Sequence, residues 1–332
     1  MKKGLKYFLF FSLIIVVSAC SSDSGGSNDS EETLEGSNIE FIVPQAAGGG
    51  TDTIARSLAK IAEDELDASI GVVNKEGGGG AVGMADGAAA KPDGKTITFT
   101  TVELSFLNHL GLSDVSPDDY EPVAQVNLDP GAITVASNAP YDTVEEFVGY
   151  AKEHPGEIKI GGSGFGAIWH LAAEQFAEEN DIDIDFIPFD GAGPSITSLL
   201  GGHIDAVTVS PGEVLPQVES GELKMLAVMD DDRSEAFPDV PTIEETDVAS
   251  VNVGAWRGIA VPNDTPEKII EELEEAFTTA AKSEEFSEFM EENGMGIEIK
   301  DSEEFSKQME ETSDMFKPLI EKLDIDEEDL DD

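Results

Sequence analysis

Val43-Pro44-Gln45-Ala46-Ala47-Gly48-Gly49-Gly50-Thr51-Asp52-Thr53-Ile54-Ala55-Arg56 joins two kinds of hydrophobic periodicity. Upstream, Ile39 to Val43 is an apolar run of strand length. Downstream, Ile54, Leu58, Ile61, Ala62 and Leu66 share one face of a helix predicted over 53–66. Thr51 or Asp52 is the expected N-cap of that helix. A glycine loop between strand and helix leaves backbone N–H groups aimed at one spot, where they can receive an anion.

The same unit recurs further on. A strand at Ile158–Gly161 runs into Gly162-Ser163-Gly164-Phe165-Gly166, which opens a helix over 167–178. Between and beyond these units, strands and helices alternate. Strands are expected at 95–101, 132–137, 184–188, 204–209, 224–228 and 256–261, and helices at 143–154, 194–200, 265–277 and 304–323. Alternation of this kind argues for an α/β fold with mostly parallel sheets. The two strand–glycine loop–helix units suggest two similar halves facing one another. Each loop carries a small hydroxyl, Thr51 in one and Ser163 in the other, so together they could clamp a carboxylate. Glycine equally serves tight turns that pack a helix on a strand, and the residues alone leave that alternative open.

The N-terminus speaks for location. Lys2, Lys3 and Lys6 form a positive region at the start of an apolar run from Leu5 to Val17, which is too short for a membrane span and ends in Val17-Ser18-Ala19-Cys20. Residues 1–19 therefore read as a lipoprotein signal peptide, with cleavage before Cys20 and lipid on its thiol. Cys20 is the one cysteine of the chain and cannot form an internal disulfide. The alternative is an ordinary secretory signal. Residues 20–37 read as a flexible tether, rich in Ser and Gly with scattered acids. The expected location is extracytoplasmic, at the outer face of the cytoplasmic membrane, held by the lipid anchor.

Nineteen basic residues against seventy acidic ones give a charge of −51. Loss of Lys2, Lys3 and Lys6 with the signal peptide would leave 16 basic residues and a charge of −54. Such a body excludes nucleic acid as a partner. The acids are spread over most predicted helices, without ligand spacing, which favours a surface suited to high salt over a cation site. Asp324 to Asp332 reads as a frayed acidic tail.

Catalysis finds little support. His109, His154, His170 and His203 lack metal-ligand spacing, so no metal is expected. Gly161-Gly162-Ser163-Gly164-Phe165 fails the nucleophile-elbow pattern at its last position, and no Gly-Lys-Ser/Thr follows the first glycine loop. One enzyme-like signal remains. Residues 162–167 fit G-x-G-x-x-A after a strand, with Asp183 and Asp185 downstream, so an NAD(P)-dependent dehydrogenase is the alternative from another class.

Eight blocks, in order, resemble the substrate-binding proteins of tripartite tricarboxylate transporters, the Bug family. They include Gly48-Gly49 with Asp52, Val73 to Gly80, Lys91 to Thr96, Gly162-Ser163-Gly164 with His170, Pro188 to Pro194, Leu199 to Asp205, Pro238 to Thr242, and Trp256-Arg257-Gly258. The resemblance implies a two-lobed, periplasmic-binding-protein-like fold of type II (a Venus flytrap), with two α/β domains joined by crossing hinge strands. It places domain 1 at 38–134 and 258–332 and domain 2 at 135–257. It implies a binding protein rather than an enzyme, with no cofactor and no catalytic residues. Such a protein would capture a small di- or tricarboxylate and deliver it to a transporter with a large and a small membrane subunit. A ligand sensor for another transporter or signalling system is a further alternative. Family members hold the carboxylate through loop backbone groups and waters. That carries over to Ala47, Gly48, Thr51 and Asp52 in one lobe and to Ser163, Gly164 and Phe165 in the other. Thr101, Ser105, Asp190 and Ser210 are expected at strand ends facing the cleft, where an acidic Asp190 would oppose a ligand carboxylate. A monomer is expected.

Overall fold

The computed structural model describes residues 33–189, 191–234, 236–323 and 325. The signal peptide, Cys20 and all but the last residues of the tether lie outside the described residues, as do Asp190 and nearly all of the acidic tail.

The first half of the chain runs β1 (Asn38–Val43), α1 (Gly50–Leu66), β2 (Ser69–Asn74), α2 (Ala81–Ala88), β3 (Thr96–Thr101) and β4 (Tyr120–Pro130). A second set follows: β5 (Ala132–Ala136), α3 (Val144–Glu153), β6 (Ile158–Ser163), α4 (Ile168–Glu179), β7 (Ile184–Phe189), α5 (Ala192–Leu200), β8 (Ala206–Val209), α6 (Pro211–Glu219) and β9 (Leu223–Val228). The chain then returns through β10 (Gly254–Pro262) to α7 (Glu267–Ala281), α8 (Glu284–Glu292) and α9 (Ser302–Leu323). No helix among the described residues is long and apolar enough to cross a membrane.

Two five-stranded sheets result, ordered β2-β1-β3-β10-β4 and β7-β6-β8-β5-β9. They share one design. In the first, β1 lies parallel to β2 and β3, while β10 is antiparallel to both β3 and β4. In the second, β6 lies parallel to β7 and β8, while β5 is antiparallel to both β8 and β9. Four strands of each sheet thus run one way and one inserted strand runs the other. The expectation of mostly parallel sheets holds for strand direction, but the sheets are mixed. The inserted strands β5 and β10 arrive from the other sheet without a helical crossover, which is what parallel pairing requires.

The two passages between sheets lie side by side. Gly131 N donates to Val253 O (2.8 Å), Val253 N to Met229 O (3.1 Å) and Met229 N to Gly131 O (2.8 Å). Gly131 is needed for this approach, because a Cβ there would lie 2.9 Å from Met229 Sδ. The passages fall at 131 and near 253, a few residues before the expected 134/135 and 257/258 boundaries.

One face of the first sheet packs under α1, α7 and α8 around Phe41, Phe99 and Phe277, with Phe41 and Phe99 edge to face at 5.6 Å. Burying each such ring contributes roughly 1.5–3 kcal/mol. Ile54, Leu58, Ala62 and Leu66 supply the α1 side of this core, at the spacing read from the sequence. The opposite face forms a continuous core with the second lobe through Phe106, Trp256, Phe305 and Phe316. Here α9 packs on β4 and reaches α4, which ties the C-terminal helix to both lobes.

Candidate functional site

A cavity of about 660 Å³ opens where the two lobes meet. The first lobe supplies Gln45, Gly50 and Thr51 from the first glycine loop, Gly78 and Gly79, Thr101 from the end of β3 and Glu103 from the turn that follows it. The second lobe supplies Ser163 and residues 165–169, with Ser210, Gly212 and Glu213 at the start of α6. Asp129, Trp256 and Arg257 on the crossing strands, with Asn293, Gly294 and Met295, also line it. The lobes touch across the rim, since a Cβ on Gly212 would fall 2.1 Å from Gly294 O.

The first glycine loop is filled from within. Helix α1 begins at Gly50 with Gly49 as N-cap, so Thr51 and Asp52 sit in the first turn and not at the cap expected of them. The reason is Asp52, whose side chain turns back on the loop. Its Oδ2 accepts from Gly48 N (2.8 Å) and Arg56 Nε (2.9 Å), and its Oδ1 from Asn74 Nδ2 (2.8 Å). Asp52 is only 2 % exposed. Burial works to raise its carboxyl, but the bonds from Arg56, Gly48 and Asn74 outweigh this and hold it below the usual carboxylate value. Gly48 itself needs its left-handed φ of 82° to make the turn. The negative charge that a helix N-terminus favours is thus already supplied by the chain.

The second loop is left open. Helix α4 has Ala167 at its N-cap, no side-chain cap and no acidic residue in its first turn. Gly166 N donates to His170 Nδ1 (3.0 Å), and Ala167 N to Gly164 O (3.0 Å). His170 is 3 % exposed, and burial lowers its pKa to about 4, so the ring is neutral and Nδ1 is free to accept. Phe165 stands edge-on to His170 at 5.1 Å. These contacts hold the loop in place without occupying it. Ser163 Oγ, also on the cavity wall, is buried and has no hydrogen-bond partner among the described residues. A buried hydroxyl left this way costs about 1–3 kcal/mol, which a ligand acceptor would recover.

Charged groups line the rest. Arg257 donates from Nε to Thr51 Oγ1 (3.0 Å), from Nη1 to Asp129 Oδ2 (2.7 Å), and to Asn127 Oδ1. Asp129 also accepts from Gly296 N (2.8 Å), which fastens the 293–296 segment to β4. Thr101 donates its hydroxyl to Glu103. Ser210 gives Glu213 Oε2 both its N–H (2.9 Å) and its hydroxyl (3.0 Å) in a capping box. Glu213 is exposed as a residue, and desolvation by the protein packed around its carboxyl raises it against the pull of Ser210.

Of the residues singled out from sequence, Thr51, Thr101, Ser163, Phe165 and Ser210 meet at this cavity. Ala47, Gly48, Asp52 and Gly164 belong to the two loops but are not part of its lining. Ser105 is fully buried and donates to Met309 O (3.0 Å), away from the cavity. Asp190 lies outside the described residues. Sequence reasoning passed over Glu103, Asp129, Glu213 and Arg257 as lining residues. Arg257 carried a signal: a lone charge inside the apolar run 255–261. Among the described residues, no three His, Cys, Asp or Glu side chains converge as a metal site.

A family model, "Tripartite tricarboxylate transporter family receptor", matches residues 54–325. Protein BugT of Bordetella pertussis is 31% identical over 258 residues, covering 76% of this chain and 79% of BugT. A TctC solute-binding protein from Polaromonas, solved without ligand, is 38% identical with a TM-score of 0.80 over 86% of this chain and 98% of its own. The periplasmic binding protein BugD is 27% identical with a TM-score of 0.70, over 87% of this chain and 98% of its own. The family model describes a receptor and both solved structures are binding proteins, which leaves the dehydrogenase reading of residues 162–167 without support.

Proposed function

Because this chain belongs to the tripartite tricarboxylate transporter receptor family, we propose that it captures a small organic acid in the interlobe cleft and hands it to a membrane transporter of that type. The observation that carries the acid end of the ligand is the N-terminus of α4. It is uncapped, has no acid in its first turn, faces the cavity and stands beside the unpartnered Ser163 hydroxyl. Together these make a carboxylate site. Binding is reversible capture. The open protein takes the acid on the α4 loop, and closure brings Thr51, Thr101 and the 293–295 segment against its other end. The body is held outside the cell membrane by lipid on Cys20, acts as a monomer, and meets a large and a small transporter subunit when loaded.

Calorimetry with the residue 20–332 protein against a panel of small mono-, di- and tricarboxylates and amino acids tests this reading. At least one should bind, and Ser163→Ala should weaken it about tenfold, the loss of a hydrogen bond to a charged group. No binding across the panel, or an S163A protein with unaltered affinity, would overturn it.

A further inference from the structure

The remainder of the cavity is acidic. Glu103, Asp129 and Glu213 line it, against the single guanidinium of Arg257. That guanidinium is engaged by Asp129, Asn127 and Thr51. Glu213 is held by Ser210 in the cap of α6. Glu103 differs from both. It sits in the 3-10 turn (Val102–Ser105) that follows β3, on the wall contributed by the first lobe, its carboxylate steadied by the Thr101 hydroxyl, and it forms no ion pair among the described residues.

A plain di- or tricarboxylate fits these walls poorly. Its acid at the α4 loop is well placed, but any second carboxylate would enter a space bounded by three acidic side chains. Like charges in a partly desolvated cleft repel strongly. A cation there would be attracted. A metal ion is not the natural candidate, since no three acidic or imidazole side chains converge among the described residues. An ammonium needs only one or two oxygen acceptors and a hydroxyl, which Glu103 with Thr101 provides.

We propose that the ligand is a zwitterion, a small acid that also carries an amine, and that Glu103 receives its ammonium group while the α4 loop receives its carboxylate. The inference rests on the reading that the cleft takes an organic acid, and it narrows that acid to the amino-acid class. Glu103 is thereby the residue that sets specificity between aminated and plain acids.

The test compares matched pairs by calorimetry: aspartate with succinate, glutamate with glutarate, and β-alanine with propionate. In at least one pair the aminated acid should bind ten times more tightly or better. Glu103→Gln should bring the two members within about threefold, by weakening the aminated acid while leaving the plain acid unchanged or tighter. Melting temperature reports whether the variant is folded, and the preference of the native protein needs no variant at all. Plain acids that bind as tightly as their aminated partners in all three pairs overturn the proposal. So does an E103Q protein that is folded and keeps its preference. If plain acids bind and aminated ones do not, the acid-capture reading survives and only this narrowing falls; silence from both sets brings down both.

Discussion

The two glycine loops of this protein look interchangeable in sequence and are opposites in structure. Each follows a strand, opens a helix and carries a small hydroxyl. In the loop before α1, Asp52 bends back into the anion position, bonded to Gly48, Arg56 and Asn74. In the loop before α4, no acid stands in the first turn, and His170 steadies the backbone from the side. The same motif therefore makes a buried brace in one lobe and leaves an uncapped helix N-terminus in the other. What separates them is whether the chain brings its own carboxylate to the helix N-terminus.

That contrast can be broken by converting one loop into the other. Ala167 is an extended residue at the N-cap of α4, with φ −78° and ψ 163°, the conformation a capping aspartate adopts. Ala167→Asp would place a carboxylate where the ligand's acid is proposed to sit. The expected loss of affinity is about a hundredfold, or about 2.8 kcal/mol. The cap itself should stabilise the fold by up to about 1 kcal/mol, so the melting temperature should hold or rise. Binding by this variant at native strength, read by calorimetry, would remove α4 from the site.

The converse change empties the first loop. Asp52→Ala leaves Gly48 N–H, Arg56 and Asn74 without their shared acceptor. Arg56 is about half exposed and can turn to water, which moderates the cost. A stability loss of about 2 kcal/mol is expected, from the buried part of the network. Thermal unfolding should register it as a fall of several degrees, while affinity changes less than in the α4 variant. A larger effect on affinity than on stability would mean that the first loop, too, is a receptor.

How much of this was legible beforehand follows from where the deciding atoms come from. The strand–loop–helix units, the α1 face at 54, 58, 62 and 66, and the α/β alternation depend on neighbours in sequence, and periodicity exposes them. Asp52 was half legible. An acid three places after the N-cap is a known capping signal, yet three glycines in a row made the position of the cap ambiguous. Thr51 and Asp52 were therefore expected at the cap and not behind it. Arg257 reaches Thr51 from 206 residues away, and Met309 O reaches Ser105 from 204. No local pattern announces such pairs, which is why Ser105 read as a cleft residue and Arg257 did not. The passages between sheets were displaced for a related reason. From Tyr120 to Ala136 the chain runs extended almost without a break, with Gln125, Asn127 and Asp129 alternating with apolar residues, and Pro130-Gly131 is the local mark of where it changes sheet.

The smallest test concerns the brace of the open loop. His170 is neutral because burial lowers its pKa to about 4, against an ordinary value of 6.5. A base whose folded pKa is depressed binds fewer protons folded than unfolded at intermediate pH, so acid favours unfolding. Its contribution is fully present above pH 6.5, is lost as pH falls through the window from 6.5 to 4, and is constant below that. Between pH 7 and pH 5.5 the loss amounts to about 1 kcal/mol. His170→Gln keeps an oxygen that can accept from Gly166 N–H but cannot titrate. The native protein should therefore lose more melting temperature than H170Q over that interval, by about 2–4 °C. The Asp230 carboxyl has the opposite sign, since burial raises its pKa to about 6, so mild acid stabilises the fold there and partly masks the histidine in the native profile. Because Asp230 is common to both proteins, the difference between the two profiles isolates His170. Parallel profiles would show that the α4 loop is held by something other than a neutral imidazole.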